Sequence, residues 1–178
     1  MSRLFWLQAP PRPWAIWRPM INYPPTVIVR SPRENPRKCS VLPLKGRPDL
    51  LFYSYPSEGL PPLSGYVRLA AEGEELSPDD ELRGILLIDA SWSWAAVMNR
   101  TFLRVPARVL RGYRTAYPRR SKRGTDPDHG LASVEALYLA YHILGRPTEG
   151  LLDHYRWALE FRRLNRLVEN HQVSPEGE

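Results

Sequence analysis

Four consecutive aliphatic residues, Ile85, Leu86, Leu87 and Ile88, run directly into Asp89. An unbroken apolar run of this length is the pattern of a strand covered on both faces, which points to a parallel sheet and restricts the chain to α/β architectures. The run ends on a carboxylate, at the strand end where open α/β sheets place their ligands. Ser91 is then positioned to cap a helix that begins at Trp92. Asp89, Ser91 and Trp92 thereby converge on one crevice. Each also has a purely structural reading, as turn cap, helix cap and core aromatic.

The pattern on either side supports the same class. Thr26 to Arg30 (TVIVR) is β-branched and bounded by proline, and it predicts a first strand. Leu50 to Tyr55 and Tyr66 to Ala70 predict two more, and Ser77 is placed to cap a short helix with Pro78 at its first position. Beyond the central strand, Trp92 to Arg100 predicts a short helix and Val109 to Ala116 a further strand. Ser133 is placed to cap the amphipathic helix VEALYLAYHIL, which stops at Gly145 and Pro147. A last helix is expected from about Thr148 or Glu149 to Val168. The expectation is an α/β fold with a mostly parallel sheet and flanking helices, plus a small proline-rich β and loop part at the N-terminus. Its divisions are a Trp/Pro-rich arm (1–25), a small N-terminal α/β part (26–82), the main domain (83–172) and a tail (173–178).

Composition narrows the function. Of 19 prolines, 13 precede Gly65, so the first third is extended and turn-rich. Basic residues are 22 Arg against 3 Lys, and the net charge is +6. No acidic residue occurs from Ala90 to Thr125, a stretch that contains Arg100, Arg104, Arg108, Arg111, Arg114, Arg119, Arg120, Lys122 and Arg123. Such asymmetry is the footprint of a protein that holds a phosphate backbone. The single cysteine, Cys39, excludes an internal disulfide framework, and the four histidines lack metal-ligand spacing, so no metal is expected. No apolar run reaches membrane-spanning length. A cytoplasmic protein with no membrane partner is the resulting expectation.

Several segments, in order, resemble one family. NPRKCSVLPL (Asn35 to Leu44) is similar to the DPKKCSGxxL segment of the small-subunit ribosomal RNA aminocarboxypropyltransferases, LSPDD (Leu76 to Asp80) to their LSPxD, and IDASW (Ile88 to Trp92) to their VDCSW. RVLRGYRTAYP (Arg108 to Pro118) aligns without a gap to RxLPxLVAANP, and LASVEAL (Leu131 to Leu137) to LSxxEAL. The DxW core also resembles the DTW-domain enzymes that act on transfer RNA. Departures are Tyr117 for the asparagine of AANP, Asn35 for the aspartate before PKKC, and RRSKRGTDPDHG in place of NYGRP.

The resemblance implies a SPOUT-like knotted fold that binds S-adenosylmethionine in loops at the strand ends. It implies transfer of the 3-amino-3-carboxypropyl group to a uridine or pseudouridine of structured RNA, foremost ribosomal and also transfer RNA, in ribosome biogenesis. A SPOUT-type RNA methyltransferase and a non-catalytic RNA-binding relative are the alternatives. Asp89 then has two open roles, general base for the N3 proton or anchor for the cofactor's amino group. Trp92 would pack against the methionine portion or sulfonium, and Ser40 would bond the cofactor's polar end. Ile88, Tyr113, Leu131 and Ser133 would line the adenosine pocket, mostly through backbone groups. Arg37, Lys38, Arg119, Arg120, Lys122 and Arg123 are the expected RNA phosphate contacts, with Tyr117 available to stack on a base. The oligomeric state is left open.

Overall fold

The computed structural model describes residues 23–56, 59–118 and 130–167. The N-terminal arm as far as residue 22, the basic-loop residues Arg119, Arg120, Lys122 and Arg123, and the tail lie outside the described residues.

Five strands form one sheet: β1 (Thr26–Arg30), β2 (Leu50–Ser54), β3 (Tyr66–Glu75), β4 (Gly84–Asp89) and β5 (Ala107–Val109), in the order β2-β1-β4-β3-β5. All four pairings are parallel, as the aliphatic run foretold. Every residue of β4 is buried. Its side chains alternate between two cores, Ile85 and Leu87 joining Ile28 and Val67 on one face, Leu86 and Ile88 joining Val27 and Val29 on the other. Strands from 26–82 and from 83–172 thus interleave in the same sheet.

Three helices cover it. α1 (Trp92–Asn99) closes the Leu86 face through Met98. α2 (Ser133–Ile143) lies on the Leu87 face with Val134, Leu137, Tyr138, Leu139, Ala140 and Tyr141 all buried. Burial on nearly every side arises because α3 (Ala158–Asn165) packs outside it, with Phe161 edge-on to Tyr138 at 6.1 Å. Residues after β1 also go to the α2 face, where Val41 and Leu44 join that core. The connections leaving β1 and β4, neighbours in the sheet, therefore depart on opposite faces. Such a parting is where α/β sheets open a crevice.

Three expected elements differ. The strand expected at Val109 to Ala116 is instead the three-residue β5, Ala107–Val109. Gly112, at φ +77°, breaks the extended path, and residues beyond it bond to side chains of α2 and α3 rather than to a strand. β3 runs on to Glu75 past a bulge, because Glu74 and Glu75 pair with Arg108 and Val109 and Glu74 accepts an ion pair from Arg108 at 2.9 Å. The last helix starts only at Ala158: Gly150, at φ +74°, is left-handed and takes the backbone out of a right-handed helix before the buried Leu151 and Leu152. Among the described residues no helix is long and apolar enough to cross a membrane, and no three His, Cys, Asp or Glu side chains gather as a metal-binding group.

Gly84 opens β4 beneath the Tyr66 ring, and a Cβ there would collide with that ring. Gly84→Ala is expected to cost about 1–3 kcal/mol by overpacking, measured as a lower urea midpoint at unchanged slope. An unchanged midpoint would show that Tyr66 yields freely.

Candidate active site

Arg30 and Asp89 are paired in register at the ends of β1 and β4. By strand alternation both emerge on the α2 face, at the edge where the connections part. Arg30 Nε donates to Asp89 Oδ2 at 2.9 Å. The Cys39 thiol donates to the same oxygen at 3.0 Å, and the Ser133 hydroxyl donates to Oδ1 at 2.7 Å. Ser40, next to Cys39, accepts the backbone N–H of Val134 at 3.2 Å, which ties the loop after β1 to the first turn of α2. Ser133 is accordingly the first residue of α2, and Ala132 occupies the cap position where Ser133 was expected. Its hydroxyl serves Asp89 instead.

Among the described residues these three donors leave one of the carboxylate's roughly four lone-pair sites, on Oδ1, without a partner. Burial disfavours the Arg30 charge, but the hydrogen bond to Asp89, together with the neighbouring Cys39 and the Asp89 charge, outweighs it and raises the guanidinium above its ordinary range. Burial first, then the neighbouring Asp89 charge, push the Cys39 thiol up. Cys39 therefore stays protonated and acts as a donor, not as a nucleophilic thiolate.

Trp92 heads α1, with Ser91 at the cap position, though Ser91 makes no side-chain capping bond. Its N–H goes to Glu34 Oε1 at 2.7 Å, which fastens the loop after β1 to the end of β4. The Trp92 ring lies against Gly130, where a Cβ would come within 2.8 Å of the indole nitrogen, so glycine permits the contact. Since Gly130 leads through Leu131 and Ala132 to Ser133, this contact sets Trp92 beside the start of α2. Tyr113 and Leu131 are half-buried against the α2-face core. The Ile88 side chain enters the opposite core, on the α1 face, leaving its backbone at the edge. Tyr117 is half-buried, edge-on to Trp157 at 4.9 Å, and so is engaged within the protein. Arg37 and Lys38 are exposed on a 3-10 turn capped by Asn35, directly before Cys39. Two surface clefts of about 480 and 420 Å³ lie elsewhere, beside Arg100–Val105 and beside Arg68 and Gly73.

Arg30 and Glu135 were not singled out by their sequence context. Arg30 ends an ordinary strand, and its partner is 59 positions away. Glu135 is fully buried. It accepts from Thr115 Oγ1 (2.6 Å), Ala116 N (2.8 Å), Ala132 N (2.8 Å) and Tyr155 Oη (2.8 Å). Burial and the Glu135 charge hold Tyr155 protonated, so it remains a donor. This carboxylate joins the segment after β5, the start of α2 and the approach to α3. Glu135 stands three residues after Ala132, the glutamate place of a capping box. Alanine at the cap has no side chain to complete the box, and Ser133 as the expected cap gives the wrong spacing.

No protein-family model matches the chain, and a search of curated proteins returns no match. Among solved structures, the SAM-dependent rRNA:acp-transferase Tsr3 from Vulcanisaeta distributa matches at TM-score 0.60 and 23% identity, over 80% of this chain and 79% of that one. The fold is that of Tsr3.

Proposed function

We propose that the protein transfers the 3-amino-3-carboxypropyl group of S-adenosylmethionine to a uridine or pseudouridine of ribosomal RNA. The observation that carries this reading is the joining of Cys39 and Ser133 to Asp89 by hydrogen bonds at one sheet edge, with Ser40 tied to the next residue of α2, Val134, in the fold of a protein described as an rRNA acp-transferase. These residues fit a sulfonium amino acid. The unused lone pair on Asp89 Oδ1 suits its ammonium group, and the indole of Trp92 offers a face for the sulfonium. Asp89 acts as an anchor in this reading: a carboxylate already holding three donors, one of them charged, is poorly suited to abstract a proton.

When bound, S-adenosylmethionine supplies an electrophilic carbon. The base nitrogen forms the new N–C bond as the C–S bond breaks, sulfur keeps the electron pair and leaves in methylthioadenosine, and the nitrogen proton passes to solvent. The protein's share is orientation, since all three carbons on sulfur are activated and the one held in line with the nucleophile transfers. Arg37 and Lys38 sit beside the crevice to hold RNA phosphate. Arg119, Arg120, Lys122 and Arg123 are added on charge alone. Their contribution should weaken with salt and be largely independent of sequence.

The test uses S-adenosylmethionine labelled either in the carboxypropyl carbons or in the methyl group, with ribosomal and transfer RNA from cells lacking the protein. Label entering ribosomal RNA only from the carboxypropyl carbons is expected. Methyl label alone would replace the proposal by a methyltransferase, and transfer RNA as the acceptor would move the substrate. No incorporation, together with no binding of the donor, would leave a non-catalytic RNA-binding relative.

A further inference from the structure

The guanidinium of Arg30 is half used. Its Nε donates to Asp89 Oδ2, while Nη2 is buried and has no hydrogen-bond partner among the described residues. Nε and Nη2 donate from one edge of the planar group, a fork that matches a carboxylate with two oxygens. Asp89 does not fill that fork, because its second oxygen serves Ser133. A buried charged donor without an acceptor is unfavourable, and native proteins rarely leave one so unless another group completes it.

The same few atoms offer complementary vacancies of opposite sign: an N–H donor on Arg30 and an acceptor lone pair on Asp89. A simple anion at Nη2 would lie beside the Asp89 charge, and a simple cation at Oδ1 would lie beside Arg30. A group carrying both charges, as an α-amino acid does, answers both at once. We propose that Arg30 Nη2 receives the α-carboxylate of the sulfonium donor while Asp89 Oδ1 takes its ammonium, so that the Arg30–Asp89 pair selects an intact amino-acid head. This rests on the donor proposed above and deepens it by naming the group that distinguishes S-adenosylmethionine from its decarboxylated form. The other sequence positions expected to touch the donor supply hydroxyls or apolar surface, and none supplies a cation at this edge.

The full chain is titrated by calorimetry with S-adenosylmethionine, decarboxylated S-adenosylmethionine and methylthioadenosine. Wild type is expected to bind S-adenosylmethionine about 10- to 100-fold more tightly than the decarboxylated compound, the usual range for a charged hydrogen bond. Arg30→Gln should remove most of that preference by weakening S-adenosylmethionine alone. Equal affinity of wild type for the two sulfonium compounds would overturn the assignment, and that comparison needs no variant to fold. So would an R30Q protein, folded by circular dichroism, that keeps the preference or loses both ligands equally. Binding of none of the three compounds by wild type would instead defeat the proposed donor itself, and the Arg30 assignment with it.

Discussion

Asp89→Asn is expected to lower kcat/KM for transfer on the order of 10³-fold. The change removes one negative charge and little volume. Arg30 Nε, the Cys39 thiol and the Ser133 hydroxyl all donate to this carboxylate, and an amide has only one oxygen to accept them. Its NH₂ end must face either Ser133, whose hydroxyl can turn, or the Arg30 and Cys39 donors, which then lose their acceptor. Loss of a charged hydrogen bond to the donor's ammonium accounts for about 10- to 100-fold in affinity. A donor free to tilt by about 1 Å accounts for a further factor near 10². Initial rates at limiting S-adenosylmethionine, with Kd measured in parallel, separate the two parts. A D89N rate within about threefold of wild type would rule out any direct contact between Asp89 and the donor.

The largest effect on stability is expected at Glu135. This side chain is entirely buried and holds four donors from three segments. Glu135→Ala leaves all four unsatisfied and opens a cavity, and an unpaired buried donor alone costs about 1–3 kcal/mol. Relaxation and water entry reduce the sum, so the loss should be about 3–5 kcal/mol, comparable to breaking a buried ion pair. For a domain of ordinary stability, about 5–15 kcal/mol, that is enough to populate unfolded chain near physiological temperature. Glu135→Gln is the sharper probe. Each carboxylate oxygen accepts one backbone N–H, from Ala116 on one side and Ala132 on the other. Whichever way the amide turns, its NH₂ meets a backbone N–H that cannot rotate away. Urea unfolding should place E135Q between wild type and E135A. An E135Q protein as stable as wild type would mean that a solvent molecule or backbone shift replaces the missing acceptor.

Arg30 and Glu135 show why these residues were hard to find in the chain itself. The aliphatic run ending at Asp89 is a local pattern, and burial of six successive residues followed from it. Asp89 and Ser133 were placed from a strand end and a helix start, and Ser40 through the resemblance of the segment Asn35 to Leu44. Arg30 carries none: its importance lies in which strand stands next to β1, and that is a pairing over 59 positions. Glu135 was visible as a helix-start residue, whereas its bonds to Thr115, Ala116 and Tyr155 depend on chain that arrives from either side. The same cause undid the strand expected at Val109 to Ala116. β-propensity suited it, but Gly112 and the Glu135 carboxylate offered its backbone other partners.

By itself, then, the sequence determined the elements whose signal is a repeat of a few residues: a parallel α/β sheet centred on β4, a helix beginning at Trp92, a second helix over VEALYLAYHI whose cap fell one residue earlier than expected, and a carboxylate at the strand edge. Hydrophobic periodicity and caps act over one or two turns, so they survive in any single segment. Tertiary structure alone decided the strand order, the shortness of β5 and α3, the opposite departures after β1 and β4, and the partners of Asp89. Those features arise from contacts between distant segments, whose free energy exists only once the sheet has brought them together.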